Sequence, residues 1–383
     1  MTDFEAYIRQ SEPNKQQKAY AWRTAIGLQA VDGLKPSEFL RDTARKHIEG
    51  EIDIDEAQQL IKSYYQSKTI RTPDEEGLEE ADVVSSHIAK VLGEQSFAFS
   101  VVGITSIHRR LFEGIFKFAG KIRDYDITKK EWVLNGDTVL YVNSEDIRRA
   151  IEYDLEQEEK FMYAGLTHEQ MIEHIARFVS GLWQIHPFGE GNTRTTAVFT
   201  IKYLRSIGFY AENDLFANNS WYFRNALVRA NYRNAVKGVE PDIKYLVRFF
   251  RNLLLGENNE LKNRYMVIHA PEEWKEVSME DSSPTSTPTS TPTSSKSQLY
   301  TGNANVQKLA LAIGSEKRSI KEIMELLNLR DRKSFLEYYL VPAQSDGFVA
   351  LLYPDKPRHP RQKYILTVKG LALLSSLNSN HDK

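Results

Sequence analysis

The chain has 383 residues, a formal net charge of −2 and no cysteine. That length exceeds one ordinary core and suits two or three folded units, while the near-neutral balance gives no global basic field of the kind that advertises nucleic acid. Lack of cysteine excludes disulfides and thiolate nucleophiles or metal ligands; with no apolar signal core in MTDFEAYIRQSEPNKQQ and no uncharged apolar run of about 18 residues, a cytoplasmic protein away from membranes is expected.

In chain order, the first 66 residues read as helices broken at Gly33 to Pro36 and at Gly50 to Asp53, a small helical lobe over 1–70. Between Asp124 and Val142, two strand-like runs flank Asn135-Gly136-Asp137, and Asn-Gly favours a tight hairpin turn. Met171, Ile175, Phe178, Leu182 and Ile185 then recur at helical spacing behind a Thr167-x-x-Gln170 capping box, and this helix stops at His186-Pro187. Further helices are expected from about Thr195 to Ser206, closed by Gly208, and from about Ser220 to Lys237, closed by Gly238. From Ser282 to Ser297 every residue but Lys296 is Ser, Thr or Pro, a composition that cannot bury enough apolar surface to offset ordering, so 276–298 reads as a linker. Beyond it, Ser319 to Leu327 and Asp331 to Leu340 read as short helices. Phe348 to Tyr353 and Gln362 to Thr367 read as strands around a basic turn, Lys356 to Arg361, which is the element order of a winged helix over 299–383. The fold class is mainly α.

The stretch Ile185-His186-Pro187-Phe188-Gly189-Glu190-Gly191-Asn192-Thr193-Arg194-Thr195 carries the chemistry. An apolar helix stops, a loop supplies two glycines and an asparagine, and another helix begins. Backbone amides of such a loop, joined by the N–H groups of a helix start, make an anion nest suited to phosphates. An acidic residue inside a phosphate cradle is repelled by its ligand unless a cation lies between, so Glu190 points to Mg²⁺. Arg194 adds a charge-assisted fork, and His186 at the rim can take the proton of an incoming hydroxyl.

At these residues the chain resembles the Fic family, whose motif runs His-Pro-Phe-x-Asp/Glu-Gly-Asn-Gly-Arg-x-x-Arg. The match covers His186, Pro187, Phe188, Glu190, Gly191, Asn192 and Arg194, and the resemblance extends through roughly 80–255, within a catalytic unit expected over 71–275. It implies a helical core with a hairpin flap that holds a target segment, and transfer of AMP from ATP to a Tyr, Thr or Ser hydroxyl of a protein, self-modification included. It also implies His186 as general base, Glu190 as Mg²⁺ ligand, and Asn192 and Arg194 as phosphate contacts. Gly189, Gly191 and Thr193 complete the nest, Phe188 anchors the loop and Asn231 faces adenine. Transfer of another phosphate-containing group, or a DNA-bound regulator or toxin–antitoxin scaffold with a decayed site, are the rival readings.

Two departures stand out. Thr193 replaces Gly or Lys, and the second arginine of the motif falls at Ala197. In the family that arginine holds the terminal phosphate and pairs with an inhibitory glutamate. Residues 21–65 resemble the VbhA-type antitoxins that partner Fic toxins, and their inhibitory pattern aligns with Leu28 and Asp32, so Asp32 is the regulatory candidate. Because Asp32 is shorter than Glu and Ala197 lacks the arginine, little of that restraint is expected, and a plain docking lobe is the alternative. From Leu299 to Gly370, 12 Lys and Arg face 7 Asp and Glu, a balance of 12 − 7 = +5. That balance suits weak DNA binding through Arg330, Arg332, Lys333 and the wing cations, or a homodimer or protein-docking module.

Overall fold

The computed structural model describes residues 4–10, 12–67, 73–210, 215–274 and 299–381. The Ser/Thr/Pro segment read as a linker lies outside them. Among the described residues no helix is long and apolar enough to cross a membrane.

The first elements are α1 (Glu5–Gln10), α2 (Pro13–Leu28), α3 (Glu38–Glu49) and α4 (Ile54–Gln66). The breaks fall where the glycines predict them. Gly33 and Gly50 close helical turns at φ 74° and 84°, a region most side chains avoid, and Asp53 with Glu56 forms a capping box that starts α4. A short 3₁₀ turn, Gln29–Asp32, extends α2. The lobe is not a separate ball. α2 lies along α5 (Pro73–Gly93), Trp22 and Leu28 are fully buried, and their cluster is continuous with the central core.

The central unit continues with α6 (Val101–Phe112), α7 (Ile147–Lys160), α8 (His168–Ile185), α9 (Asn192–Ser206), α10 (Leu215–Asn218), α11 (Ser220–Asn231) and α12 (Lys244–Phe250). Gly27 explains how the lobe seats here. A Cβ on it would lie 2.3 Å from the Ala217 carbonyl oxygen, so glycine lets α2 and α10 touch backbone to backbone. α8 starts on the predicted Thr167/Gln170 capping box. α11 is shorter than expected and ends at Asn231, beyond which Asn234 and Val239 form an isolated bridge.

The hairpin expected at Asp124–Val142 forms its turn but not its ladder. Asn135 and Gly136 take φ of 52° and 87°, and the Glu131 amide donates to Asp137 O at 2.9 Å, yet the flanks are irregular, with a 3₁₀ turn at Trp132–Leu134. The reason lies in competing partners. Lys129 N donates to the Thr138 hydroxyl, and Val133 O accepts from the Ile268 amide at 2.9 Å, so other partners take backbone groups that a ladder would have used.

The C-terminal unit holds α13 (Ala304–Ile313), α14 (Ile320–Leu326), α15 (Arg332–Phe335), α16 (Val341–Ser345), β1 (Val349–Leu351), β2 (Tyr364–Leu366) and α17 (Val368–His381). The two strands pair antiparallel where the sequence predicts them, Val349 opposite Leu366. This unit has its own apolar cluster and docks on the end of α9. Gly208 and Gly347 meet backbone to backbone, the Lys369 amide donates to Ile207 O, and the buried Lys369 ammonium donates to Asp346 O at 2.6 Å above the Tyr210 and Phe348 rings.

Candidate active site

α8 delivers His186 to its C-terminal end. There the residue takes a left-handed conformation, φ 51° and ψ 58°, which a non-glycine residue adopts only at a cost, so the surrounding contacts must hold it. They come from Arg123, whose Nε donates to His186 O at 2.8 Å while its Nη atoms donate to Tyr125 O and Val142 O, and from the Arg123 amide, which donates to Pro187 O. One buried arginine thus ties the motif loop to both ends of the flap. Nothing in the sequence marked it as this brace.

The His186 ring is 2% exposed, covered by Tyr141 with ring centroids 4.1 Å apart. Its Nδ1 lies 3.3 Å from the Trp183 carbonyl. A carbonyl only accepts, so Nδ1 carries the proton and Nε2 keeps its lone pair. Burial, then the nearby charges of Lys129, Arg224 and Arg123, holds this imidazole well below the usual histidine range, which keeps it in the neutral, basic form.

α9 begins at Asn192, three residues earlier than expected, so Asn192, Thr193 and Arg194 form its first turn. Gly191 precedes it at φ 76°, and a Cβ there would sit 2.4 Å from the Phe112 ring; having no side-chain oxygen, it leaves the amides of the first turn uncapped. Thr193 is helical, so its β-branch meets no backbone conflict, and its hydroxyl accepts from Trp183 Nε1 at 2.9 Å. Phe188, read as the anchor of the loop, is fully buried. Asn192 turns back on its own loop: its Oδ1 accepts from the Phe188 amide and one of its two Nδ2 hydrogens goes to Phe188 O at 2.7 Å, so in this structure it braces the loop and keeps one amide N–H for a further acceptor. Asn231, expected to face adenine, donates to Ser180 O and Oγ on α8 and to Leu227 O.

Behind the loop stands His108, a residue the sequence did not single out as part of the site. The Gly120 amide donates to its Nδ1 at 2.8 Å, so Nε2 carries the proton and donates to Glu190 O at 3.0 Å, while the ring stacks on Phe188 with centroids 3.7 Å apart. Burial pushes His108 down to about 4, so it stays a neutral strut.

The charged groups of the motif are all paired. Glu190 accepts from Lys129 Nζ of the flap at 2.7 Å. Arg194, 2% exposed, donates Nη1 to Gln29 Oε1 at 3.0 Å and Nη2 to Glu80 Oε1 at 2.6 Å, and its Nε lies 2.8 Å from Asp32 Oδ2 without the alignment of a hydrogen bond. The expectation that Asp32 has lost its arginine therefore needs correction. The carboxylate meets the first arginine of the motif in place of the second, because the 3₁₀ turn carries it directly over the start of α9.

No three His, Asp or Glu side chains gather as a metal cage among the described residues. Glu190 is a lone half-exposed carboxylate, which fits Mg²⁺, an ion that keeps waters and takes other ligands from phosphates, and does not fit an all-protein site.

Two family profiles match successive parts of the chain. The Fic/DOC family profile matches residues 98–204, and that of the Fic-like C-terminal domain matches 304–367. A probable protein adenylyltransferase Fic of Salmonella typhimurium is 32% identical over 100 residues, 25% of this chain and 45% of that protein. The protein adenylyltransferase VbhT of Bartonella schoenbuchensis is 28% identical over 144 residues, 37% of this chain and 29% of that one. The match thus spans less than half the length of either relative. A solved Fic family protein from Desulfovibrio desulfuricans G20 aligns over 90% of this chain and 87% of its own, at 15% identity and a TM-score of 0.36. The chain carries a Fic/DOC family domain followed by a Fic-like C-terminal domain.

Proposed function

We propose that the chain is a protein adenylyltransferase that moves AMP from ATP to a Tyr, Thr or Ser hydroxyl of a protein, itself included. The observation that carries this reading is the 3.3 Å approach of His186 Nδ1 to the Trp183 carbonyl, from which the tautomer follows. Nδ1–H is spent on Trp183 O, so the free lone pair is on Nε2, on a neutral ring at the head of an uncapped helix start. Nε2 takes the proton of the attacking hydroxyl, whose oxygen bonds to the α-phosphorus as the bond to pyrophosphate breaks. The amides of the first turn of α9 and Arg194 hold the phosphates, with Gly189 and Gly191 allowing close approach. Mg²⁺ held by Glu190 would neutralise the charge of those phosphates. Since Tyr141 covers His186, Glu190 holds Lys129 and Arg194 holds Asp32, the structure corresponds to a closed resting form, with residues 1–70 as the restraining lobe and Asp32 as its regulatory residue. Residues 71–275 are the catalytic unit, 276–298 the linker and 299–383 a winged-helix-like unit.

The test is incubation with ATP labelled at the α-phosphate, in Mg²⁺, followed by detection of label on the protein. His186→Ala should lose transfer by at least about a hundredfold while nucleotide affinity stays within a few-fold, because a base acts on the hydroxyl and not on the phosphates. Transfer retained by that variant would remove His186 from the role.

A further inference from the structure

The motif lacks its second arginine. Ala197 is fully buried in α9 and brings no charge to the site. The structure nevertheless puts a second guanidinium beside Arg194, from a different helix. Arg224 of α11 donates Nη1 to Asp32 Oδ1 at 3.2 Å, while the other oxygen of the same carboxylate, Oδ2, lies 2.8 Å from Arg194 Nε. One anion is therefore shared between two arginines, an oxygen to each. The two are mounted alike. Arg194 is held by Glu80, and Arg224 donates Nη2 to both oxygens of the buried Glu131 at 3.1 and 3.2 Å. Apart from these carboxylates, their acceptors come from the single turn at 29–32: Gln29 Oε1 for Arg194, and Val31 O and Asp32 for Arg224. Arg224 Nε is buried with no hydrogen-bond partner, an unmet donor in a side chain that is otherwise fully engaged.

We propose that Arg224 is the second phosphate-binding arginine of this protein. Together with Arg194 it forms a clamp for the terminal phosphate of a nucleoside triphosphate, and in the resting chain Asp32 fills that clamp with a carboxylate. The chemistry supports the exchange. A phosphate offers more oxygens and more charge than a carboxylate, and the rigid fork of arginine matches both. The Asp32 carboxylate leaves the Arg224 Nε unmet, and a phosphate brings further oxygens to the same guanidinium. Glu131 keeps its hold on Nη2 throughout, so the guanidinium is already oriented when the turn withdraws. The inference rests on the nucleotide-binding part of the proposed function.

The test uses the full chain carrying Asp32→Ala, so that the clamp is open, and measures calorimetrically the binding of α,β-methylene-ATP and of AMP in Mg²⁺. Introducing Arg224→Lys should weaken the triphosphate analogue by roughly tenfold or more and AMP by less than about threefold, because lysine keeps the charge beside Glu131 but loses the fork. The double change Arg224→Gln with Glu131→Gln, which leaves no lone buried carboxylate, should give the same split. Equal weakening of both nucleotides, or weakening of neither, would overturn the inference and leave Arg224 as a strut between lobe and flap. If the Asp32→Ala chain binds neither nucleotide, the AMP-transfer reading falls and this one with it. If that chain binds the analogue and labels itself from ATP while the Arg224 variants change nothing, only the present inference falls.

Discussion

Asp32→Ala is the most informative single perturbation. The Asp32 side chain is about a quarter exposed, whereas the Arg194 side chain is almost fully buried. Removing one partner of a buried ion pair costs heavily when it strands the other charge. Here neither arginine is stranded, since Arg194 keeps Glu80 and Gln29 and Arg224 keeps Glu131. The loss is then two partly solvated charge-assisted contacts, about 1 to 2 kcal/mol in total. A nucleotide phosphate that needs the same arginines must displace the carboxylate against that free energy, so its removal should tighten ATP binding by about 5- to 30-fold. Calorimetric titration of ATP into the full chain measures the affinity, and the initial rate of self-labelling measured below saturation should rise in parallel. The variant should unfold at slightly lower urea, a direction opposite to its gain in binding. A chain that loses stability yet binds ATP within twofold of the unaltered protein would refute the reasoning, because the carboxylate would then be a structural contact that phosphate never contests.

Glu190→Ala should lower transfer to background and remove its dependence on added Mg²⁺; normal Mg²⁺-dependent turnover would show that the ion is held elsewhere. Folding stability should fall with acid below neutrality. His108 titrates near 4 in the folded chain against about 6.5 unfolded, so between those values the unfolded state binds the extra proton and stability rises with pH, by as much as about 3 kcal/mol from this fully buried ring. Urea midpoints at pH 7 and pH 5 measure this, and His108→Phe, which keeps a ring on Phe188 but cannot titrate, should reduce the difference, the remainder coming from the other histidines lowered by burial, His47, His87 and His186; an unchanged pH slope in that variant would exclude His108 as a source. Arg330, Arg332, Lys333, Lys356, Arg358 and Arg361 are exposed on the C-terminal unit, so the full chain should retain duplex DNA weakly at about 50 mM salt and release it steeply as salt rises. No retention at the lower salt would leave that surface to protein docking.

Much of the fold was legible from local pattern. The capping box at Thr167, the apolar stripe that ends at Ile185, the glycines that close the 3₁₀ turn after α2 and the end of α3, and the two C-terminal strands each depend on neighbours a few residues away, and each formed where those neighbours predict. The motif from His186 to Arg194 was equally visible, because a helix end, a glycine loop and a helix start are contiguous in sequence. What the sequence misjudged depends on distant partners. Asn135-Gly136 dictated a turn, but whether its flanks became strands was decided by the Thr138 hydroxyl and the Ile268 amide, which take the Lys129 N–H and the Val133 carbonyl. That Asn192 also braces its own loop, through Oδ1 and one Nδ2–H on Phe188, was not legible from its place in the motif. His108, Arg123 and Arg224 lie 82, 63 and 192 residues from the groups they hold, Glu190, His186 and Asp32. No spacing rule connects such pairs. They become a site only when α6, α8, α9, α11 and the turn after α2 pack around one core, since burial there makes every buried donor and charge find a partner, wherever in the chain that partner happens to be.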